Sequence, residues 1–285
     1  VADLASVMDG LSHADRWILS RLSRATQRVQ RSLEIYRFDE ASEAIYRFFW
    51  SEFCDWYIEL IKDRLNDSDP SQAAARAVLV HVLDASMRLL HPFCPYISEE
   101  IWQKLPRNSH WRSAGVDYCA VAPFPVFDAT LVDDRAENEM SLLQSAIVMV
   151  RSARQESNLP AQKVVPAHFV VDDAADLELL LAHKSEIERL ARVDNMQAAV
   201  RGDHQTPRLA ITCADARLEV IIPLAGLIDI EAEGARLRKE LLKNDKEREG
   251  IASRLANPNF ADKAPPEVVQ SARQNLANVV EAQAR

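Results

Sequence analysis

Glycine is scarce in this 285-residue chain, at only six residues, and so few flexible positions favour helix over sheet. No phosphate-cradling GxxxxGK[ST] loop occurs, and neither GxSxG nor HExxH is present, so a free-standing hydrolase finds no support. The four cysteines, Cys54, Cys94, Cys119 and Cys213, lie far apart with no CxxC pair. They suit buried thiols of a reduced, cytoplasmic protein, and no zinc site is expected. The histidines His13, His81, His110, His168, His183 and His204 form no metal-ligand spacing either, and His91, between Leu90 and Pro92, reads as a helix-end hydrogen-bonding residue rather than a catalyst. No run approaches the roughly 18–20 apolar residues of a membrane span, and no signal-peptide pattern opens the chain. Positive charge is also short. The formal net charge of −9 argues against bulk attraction to nucleic acid and leaves the question to local patches. An initiating Met is missing, so a fragment or a processed chain is the expectation.

Aromatic residues are concentrated in the stretch Ala44–Leu65, AIYRFFWSEFCDWYIELIKDRL. At roughly 100° per residue, Phe49, Phe53, Trp56, Tyr57, Leu60 and Ile61 fall on one arc, with Arg47, Ser51, Asp55, Glu59 and Lys62 opposite. This predicts an amphipathic helix whose rings each bury about 150–250 Å². Such a helix needs neighbours to pack on, so it is expected to be central to a bundle.

Before it, Ser12–Leu33 is predicted as a helix started by Ser12 with Asp15 at cap-like spacing. Ile18, Leu22, Ala25, Val29 and Leu33 share one face. Arg16, Arg21, Arg24, Arg28 and Arg31 fall within roughly 140° on the other. Two readings stay open for these arginines: a solvated face, or one that meets phosphate, for which the planar fork of Arg is suited. The segment Ile35–Asp39 reads as a turn, with Asp39 capping the next helix. Phe38 either packs or, beside Arg37, stacks a base.

After the aromatic stretch, Gln72–Leu90 is predicted as a third helix. Pro92 and Pro95 then turn the chain, and Ser98-Glu99-Glu100 starts the next helix. Residues 106–127 read as irregular chain laid over the bundle. A long helix is expected over Ala136–Glu156, a strand over Val164–Val171 and helix over Asp176–Ala191. Short strands are expected at Met196–Val200, Arg208–Thr212 and Leu218–Ile222. Beyond them, Leu227, Ile230, Gly234, Leu237, Leu241, Asn244, Arg248, Ile251 and Leu255 follow coiled-coil spacing. Asn257-Pro258-Asn259 breaks it, and Pro265-Pro266-Glu267 restarts a helix with Val269, Ala272, Leu276 and Val279 at seam spacing. An antiparallel hairpin is therefore predicted. From Gly234 to Arg273 it carries nine basic against six acidic residues, the reverse of the whole chain's balance. Such an arm is a candidate nucleic-acid contact, although coiled-coil flanks are charged in any case.

Three groups of residues carry a family resemblance: ADRWILSRL with EAIYRFFWSEFCDWYIELIK, then LLHPFCPYISEEIWQKL, then LAGLIDIEAEGARLRKELLK followed by NPNFADKAPPEVV. Together they resemble the C-terminal portion of bacterial valine–tRNA ligases, class I aminoacyl-tRNA synthetases. The resemblance implies a mainly α fold in three parts. Residues 1–130 would be a helical bundle of the anticodon-binding type, 131–222 a small α+β linker module, and 223–285 an antiparallel coiled-coil arm. It further implies that the bundle reads the anticodon loop of tRNA(Val) and that the arm rests on the tRNA corner, where the D and T loops meet. Arg21, Arg24, Arg28, Arg31, Arg37, Phe38, Glu99 and Glu100 are the candidate anticodon contacts. Arg236, Lys239, Lys243, Lys246, Arg254 and Lys263 are the candidate corner contacts.

The signatures His-Ile-Gly-His and Lys-Met-Ser-Lys-Ser are absent. No catalytic residue, metal or cofactor is therefore expected in this chain. ATP and Mg belong to the full-length enzyme, whose catalytic and editing domains would lie upstream in the same polypeptide. A monomer is expected. The competing reading is a protein–protein scaffold whose coiled-coil arm grips a partner helix.

Overall fold

The structure is a computed structural model. It describes residues 2–66, 69–106, 115–157, 159, 163–202, 210–223, 230–256, 268–271 and 273–276. Two compact units divide the chain: residues 1–206 with 211–222, and residues 207–210 with 223–285.

The first unit begins with α1 (His13–Glu34), which opens on a full capping box. The Ser12 hydroxyl accepts from the Asp15 backbone N–H, and the Asp15 carboxylate accepts from the Ser12 N–H. Ile18, Leu22 and Val29 are buried along its inner face. It ends in a Schellman turn. The Arg37 N–H bonds to the Ser32 carbonyl (2.8 Å) and the Tyr36 N–H to the Leu33 carbonyl (3.1 Å). Tyr36 occupies the left-handed position at φ 60°, where glycine is the usual occupant. The next helix, α2 (Phe38–Arg47), starts two residues earlier than a cap at Asp39 predicts. Asp39 lies in its first turn rather than capping it, and Arg37 at the N-cap makes no side-chain cap bond.

The aromatic stretch is helical but wider than an α-helix. Phe48–Tyr57 is a π-helical segment, followed by the short α3 (Ile58–Ile61) and a 3-10 turn at Lys62–Leu65. Wider turns lengthen the inward repeat, so the fully buried set is Phe48, Phe53, Tyr57 and Ile61. Phe49, Trp56 and Leu60 are only half-buried. Phe49, Phe53 and Tyr57 form a stacked ladder, with centroids 5.6 and 6.0 Å apart.

The ladder ends on a buried carboxylate. Asp15, fully buried, accepts from the Tyr57 hydroxyl at 2.8 Å and from two Arg64 nitrogens at 2.8 and 3.0 Å. Burial alone would raise its pKa. The Arg64 guanidinium, Tyr57 and Ser12 outweigh that and hold it below the ordinary carboxylate value.

The helix α4 (Gln72–Leu90) forms as expected, whereas α5 runs Pro95–Gln103. It begins at Pro95, three residues before the expected start, because proline's fixed φ suits the first helical position. Asp84 on α4 accepts from the Trp102 indole (2.7 Å) and from Arg88 (2.6 and 2.9 Å). Arg88 also reaches the Pro123 carbonyl, at 2.6 Å, which seats the irregular chain on the bundle.

The long helix α6 (Asp134–Glu156) packs on α1. Beyond it, β1 (Val165–Val171) is followed by α7 (Ala174–Ala182), α8 (Lys184–Ala191) and β2 (Val193–Val200). The sheet is completed by β3 (Ala210–Ala214) and β4 (Leu218–Pro223), in the order β2-β1-β4-β3. The β1–β2 pair is parallel, as a helical crossover requires, and β1–β4 is antiparallel. From α6, Arg151 and Arg154 donate to the Leu190, Ala191 and Arg192 carbonyls, satisfying the end of α8.

In the second unit α9 runs Ile230–Ala256. Residues 268–271 and 273–276 are also helical. The predicted break at Asn257-Pro258-Asn259, the restart at Pro265-Pro266-Glu267 and the seam positions Leu227, Ala272 and Val279 lie outside the described residues.

Replacing Asp15 by Asn leaves Arg64 without its counter-charge. The expected loss is about 3 kcal/mol at pH 7, read by urea unfolding. Because the folded pKa of Asp15 is depressed, its contribution is present above the ordinary carboxylate range and fades as pH falls through the folded value. Asp15→Asn should therefore flatten the acid limb of the stability profile. An unchanged acid limb would show that Asp15 does not carry that linkage.

Candidate nucleic-acid interface

The arginine face of α1 divides in two. Arg21 donates to both Glu52 oxygens at 2.7 and 2.9 Å and to Glu137 at 2.8 Å. The Glu52 bond and charge, followed by those of Glu137, raise the Arg21 pKa against the effect of burial. Arg24 donates to Glu137 at 2.7 Å and pairs with Asp134. Ser20 also donates to Glu137. These side chains lock α1 to the start of α6, which accounts for Arg21 and Arg24 without any external ligand.

Arg28 and Arg31 are different. Both are exposed on the last turns of α1. No carboxylate among the described residues pairs with either. The Schellman turn follows, with Tyr36 79% and Phe38 56% exposed and their rings edge-to-face at 6.3 Å. Arg37 between them is exposed and pairs loosely with Asp39 (3.3 Å) and with Glu40 (2.7 Å). A left-handed non-glycine residue costs about 1–2 kcal/mol, and here that conformation holds two rings and a guanidinium outward. Phe38 does not pack into the core, so it is available for the stacking reading.

Glu99 lies in the second turn of α5 rather than at the helix start. Its carboxylate accepts from the Gln103 amide (2.8 Å) and from the Cys119 and Ala120 backbone N–H groups (3.0 and 3.3 Å). These bonds pin the 3-10 turn Cys119–Val121. Glu100 is exposed and pairs with Lys104 at 3.1 Å. On the same helix Tyr96 (91%) and Ile97 (59%) stand well exposed although neither was a candidate from the sequence, and Tyr46 and Trp50 lie half open with rings 6.3 Å apart. The i, i+4 spacing of Tyr46 and Trp50 outside the buried arc was the signal available for that pair.

In the second unit Lys239, Lys243 and Lys246 are exposed on α9 at a spacing that places them along one face. Arg236 belongs to the same helix, and Arg254 is exposed near its end. Lys263 lies outside the described residues.

Residues 15–169, more than half of the chain, match the family model of the anticodon-binding domain of tRNA ligases, and the chain belongs to that family. Residues 229–285 match a second model, the valyl tRNA synthetase tRNA binding arm. The chain is 36% identical to the valine–tRNA ligase of Enterococcus faecalis over 271 residues, covering 95% of this chain and 30% of that protein. It is 40% identical to that of Geobacter sulfurreducens over 272 residues, again 95% and 30%. For that of Thermotoga maritima the identity is 37% over 270 residues, 94% and 29%. The chain thus spans about 30% of the length of these curated relatives.

The split among the arginines is open to direct test. Arg28→Gln with Arg31→Gln should leave the melting temperature within error and lower the salt slope of RNA binding by about 1 for each phosphate no longer neutralised. Arg21→Gln should instead cost about 1–2 kcal/mol of stability, since Glu52 loses its guanidinium and Glu137 one of its donors. If the two variants behaved alike in both measurements, the division would be wrong.

Proposed function

We propose that this chain is the tRNA-recognition portion of a valine–tRNA ligase. The bundle holds the anticodon stem-loop of tRNA(Val), and an antiparallel coiled-coil arm over residues 223–285 rests on the tRNA corner. ATP-dependent attachment of valine would be done by a catalytic domain elsewhere in the same polypeptide, working as a monomer in the cytoplasm. Residues 131–222 act in this reading as the module that carries the arm.

The observation that supports the reading best is the exposed run Arg28, Arg31, Tyr36, Arg37 and Phe38. An anticodon loop offers unstacked bases and closely spaced phosphates. Bases are held by stacking on aromatic rings, and phosphates by guanidinium groups. The tRNA corner offers mostly shape and phosphate, which the exposed lysines of α9 suit. Within the bundle we place the phosphate contacts on Arg28, Arg31 and Arg37 and the stacking contact on Phe38. Glu100, exposed, is the carboxylate better placed to accept from a base amino group.

Leu241 and Leu242, 47% and 62% exposed on α9, favour the alternative of a scaffold that binds a partner helix. A filter-binding titration at several salt concentrations separates the two. A recognition module prefers tRNA(Val) over other tRNAs and loses affinity steeply with salt. Weak binding, indifferent to the tRNA supplied, would leave the scaffold. Deleting Gly234–Arg285 should lower affinity without changing anticodon preference, and a changed preference would show that the arm has another role.

A further inference from the structure

The bundle brings together a nitrogen, an oxygen and a sulfur ligand from three separate segments. His91 follows the end of α4, Glu99 lies on α5, and Cys119 begins the 3-10 turn of the irregular chain. One ligand atom from each lies within 4.8 Å of the other two. We propose that His91, Glu99 and Cys119 form a binding site for a divalent transition metal of the zinc type, with solvent completing the coordination.

The hydrogen bonds around the cluster suit that role. The Ser98 hydroxyl has a single proton, and it faces the Cys94 and Pro95 carbonyls at 2.8 and 3.1 Å. Toward His91 Nδ1, 2.8 Å away, it therefore acts as acceptor, so Nδ1 carries the hydrogen and Nε2 the lone pair. This tautomer, assigned from the network, is the one in which the ring's second nitrogen is anchored and Nε2 is the ligand. The bonds to Glu99 from Cys119 N, Ala120 N and Gln103 orient its carboxylate in the way outer-sphere donors orient a ligating acid.

Metal–ligand distances of about 2.0–2.3 Å require ligand atoms roughly 3.5 Å apart. The cluster must therefore contract by up to about 1 Å. A mixed N, O and S set suits zinc or cobalt rather than magnesium or calcium. Binding requires the Cys119 thiolate, so the metal displaces the thiol proton to solvent. Binding would fasten the irregular chain to α4 and α5 by a bond independent of the Arg88–Pro123 contact. Paired-cysteine spacing is absent, which is why no zinc site was expected from the sequence.

The test uses the full chain, stripped with a chelator and titrated with Co²⁺, with Zn²⁺ as competitor. One equivalent should bind with a thiolate-to-cobalt charge-transfer band in the near ultraviolet, and Zn²⁺ should abolish it. The band should vanish in Cys119→Ser, and affinity should fall by about tenfold or more in His91→Gln. As a guard against misfolding of Cys119→Ser, the variant Cys54→Ser, Cys94→Ser, Cys213→Ser keeps only Cys119 and must retain the band. No sulfur band at saturating Co²⁺, a band that survives Cys119→Ser, or its loss from the triple variant would each overturn the site.

Discussion

The bundle depends on a carboxylate that cannot be left alone. Asp15 is fully removed from solvent, and an unpaired buried charge costs several kcal/mol. Its partners come from three places: the Ser12 cap, Tyr57 at the end of the π-helical segment, and Arg64 in the following 3-10 turn. One side chain thereby sets the start of α1, the rotation of the aromatic ladder and the exit of the chain from it. The wide turn in the ladder is consistent with the same constraint. It delivers Phe48, Phe53 and Tyr57 to the interior together, with the Tyr57 hydroxyl aimed at Asp15.

A second layer of charge fixes how α1 meets α6. The start of α6 is crowded with acids, and each is answered. Asp133 faces Arg16, Asp134 faces Arg24, Glu137 faces Arg21 and Arg24, and Glu139 faces His13 and Arg135. Three of the five arginines that look from α1 alone like an RNA-facing surface, Arg16, Arg21 and Arg24, are thus paired with the protein's own acids. The arginines beyond that zone, Arg28 and Arg31, lie past the start of α6 and meet no such partner among the described residues. Recognition, in this reading, uses the charge that folding leaves over.

How much of the fold is legible in the sequence follows from range. Where the determinants are local, the agreement is close: the Ser12–Asp15 cap places α1, and Gln72–Leu90 emerges with both ends as expected. Shifts arise where a local rule is broken or has a second meaning. Tyr36 takes a position that glycine normally fills, so the end of α1 is legible but the start of α2 is not. Pro95 looks like a terminator although it opens α5. The π-helical segment escapes because a 3.6-residue period does not describe it. The candidate site resists reading in a different way. Arg21 and Glu137 are 116 residues apart, and no periodicity reveals such a pair. Nor does spacing reveal that Cys119 returns to His91 and Glu99.

The acidic balance of the chain acquires a physical meaning from this arrangement. Exposed charges act over about 8 Å at physiological ionic strength, so the total of −9 does not cancel a basic patch at the distance of contact. It does oppose loose association of a polyanion anywhere else on the surface. From Arg16 to Leu33 α1 carries no acidic residue, so an RNA phosphate reaching Arg28 and Arg31 meets no repulsion from that stretch of the helix. In an acidic chain, exposed arginines that stand beside exposed rings, as Arg28, Arg31 and Arg37 stand beside Tyr36 and Phe38, let electrostatics support a fit made by stacking. Under the proposed function, a small number of uncompensated arginines would then matter more to the choice of RNA than the sign of the whole molecule.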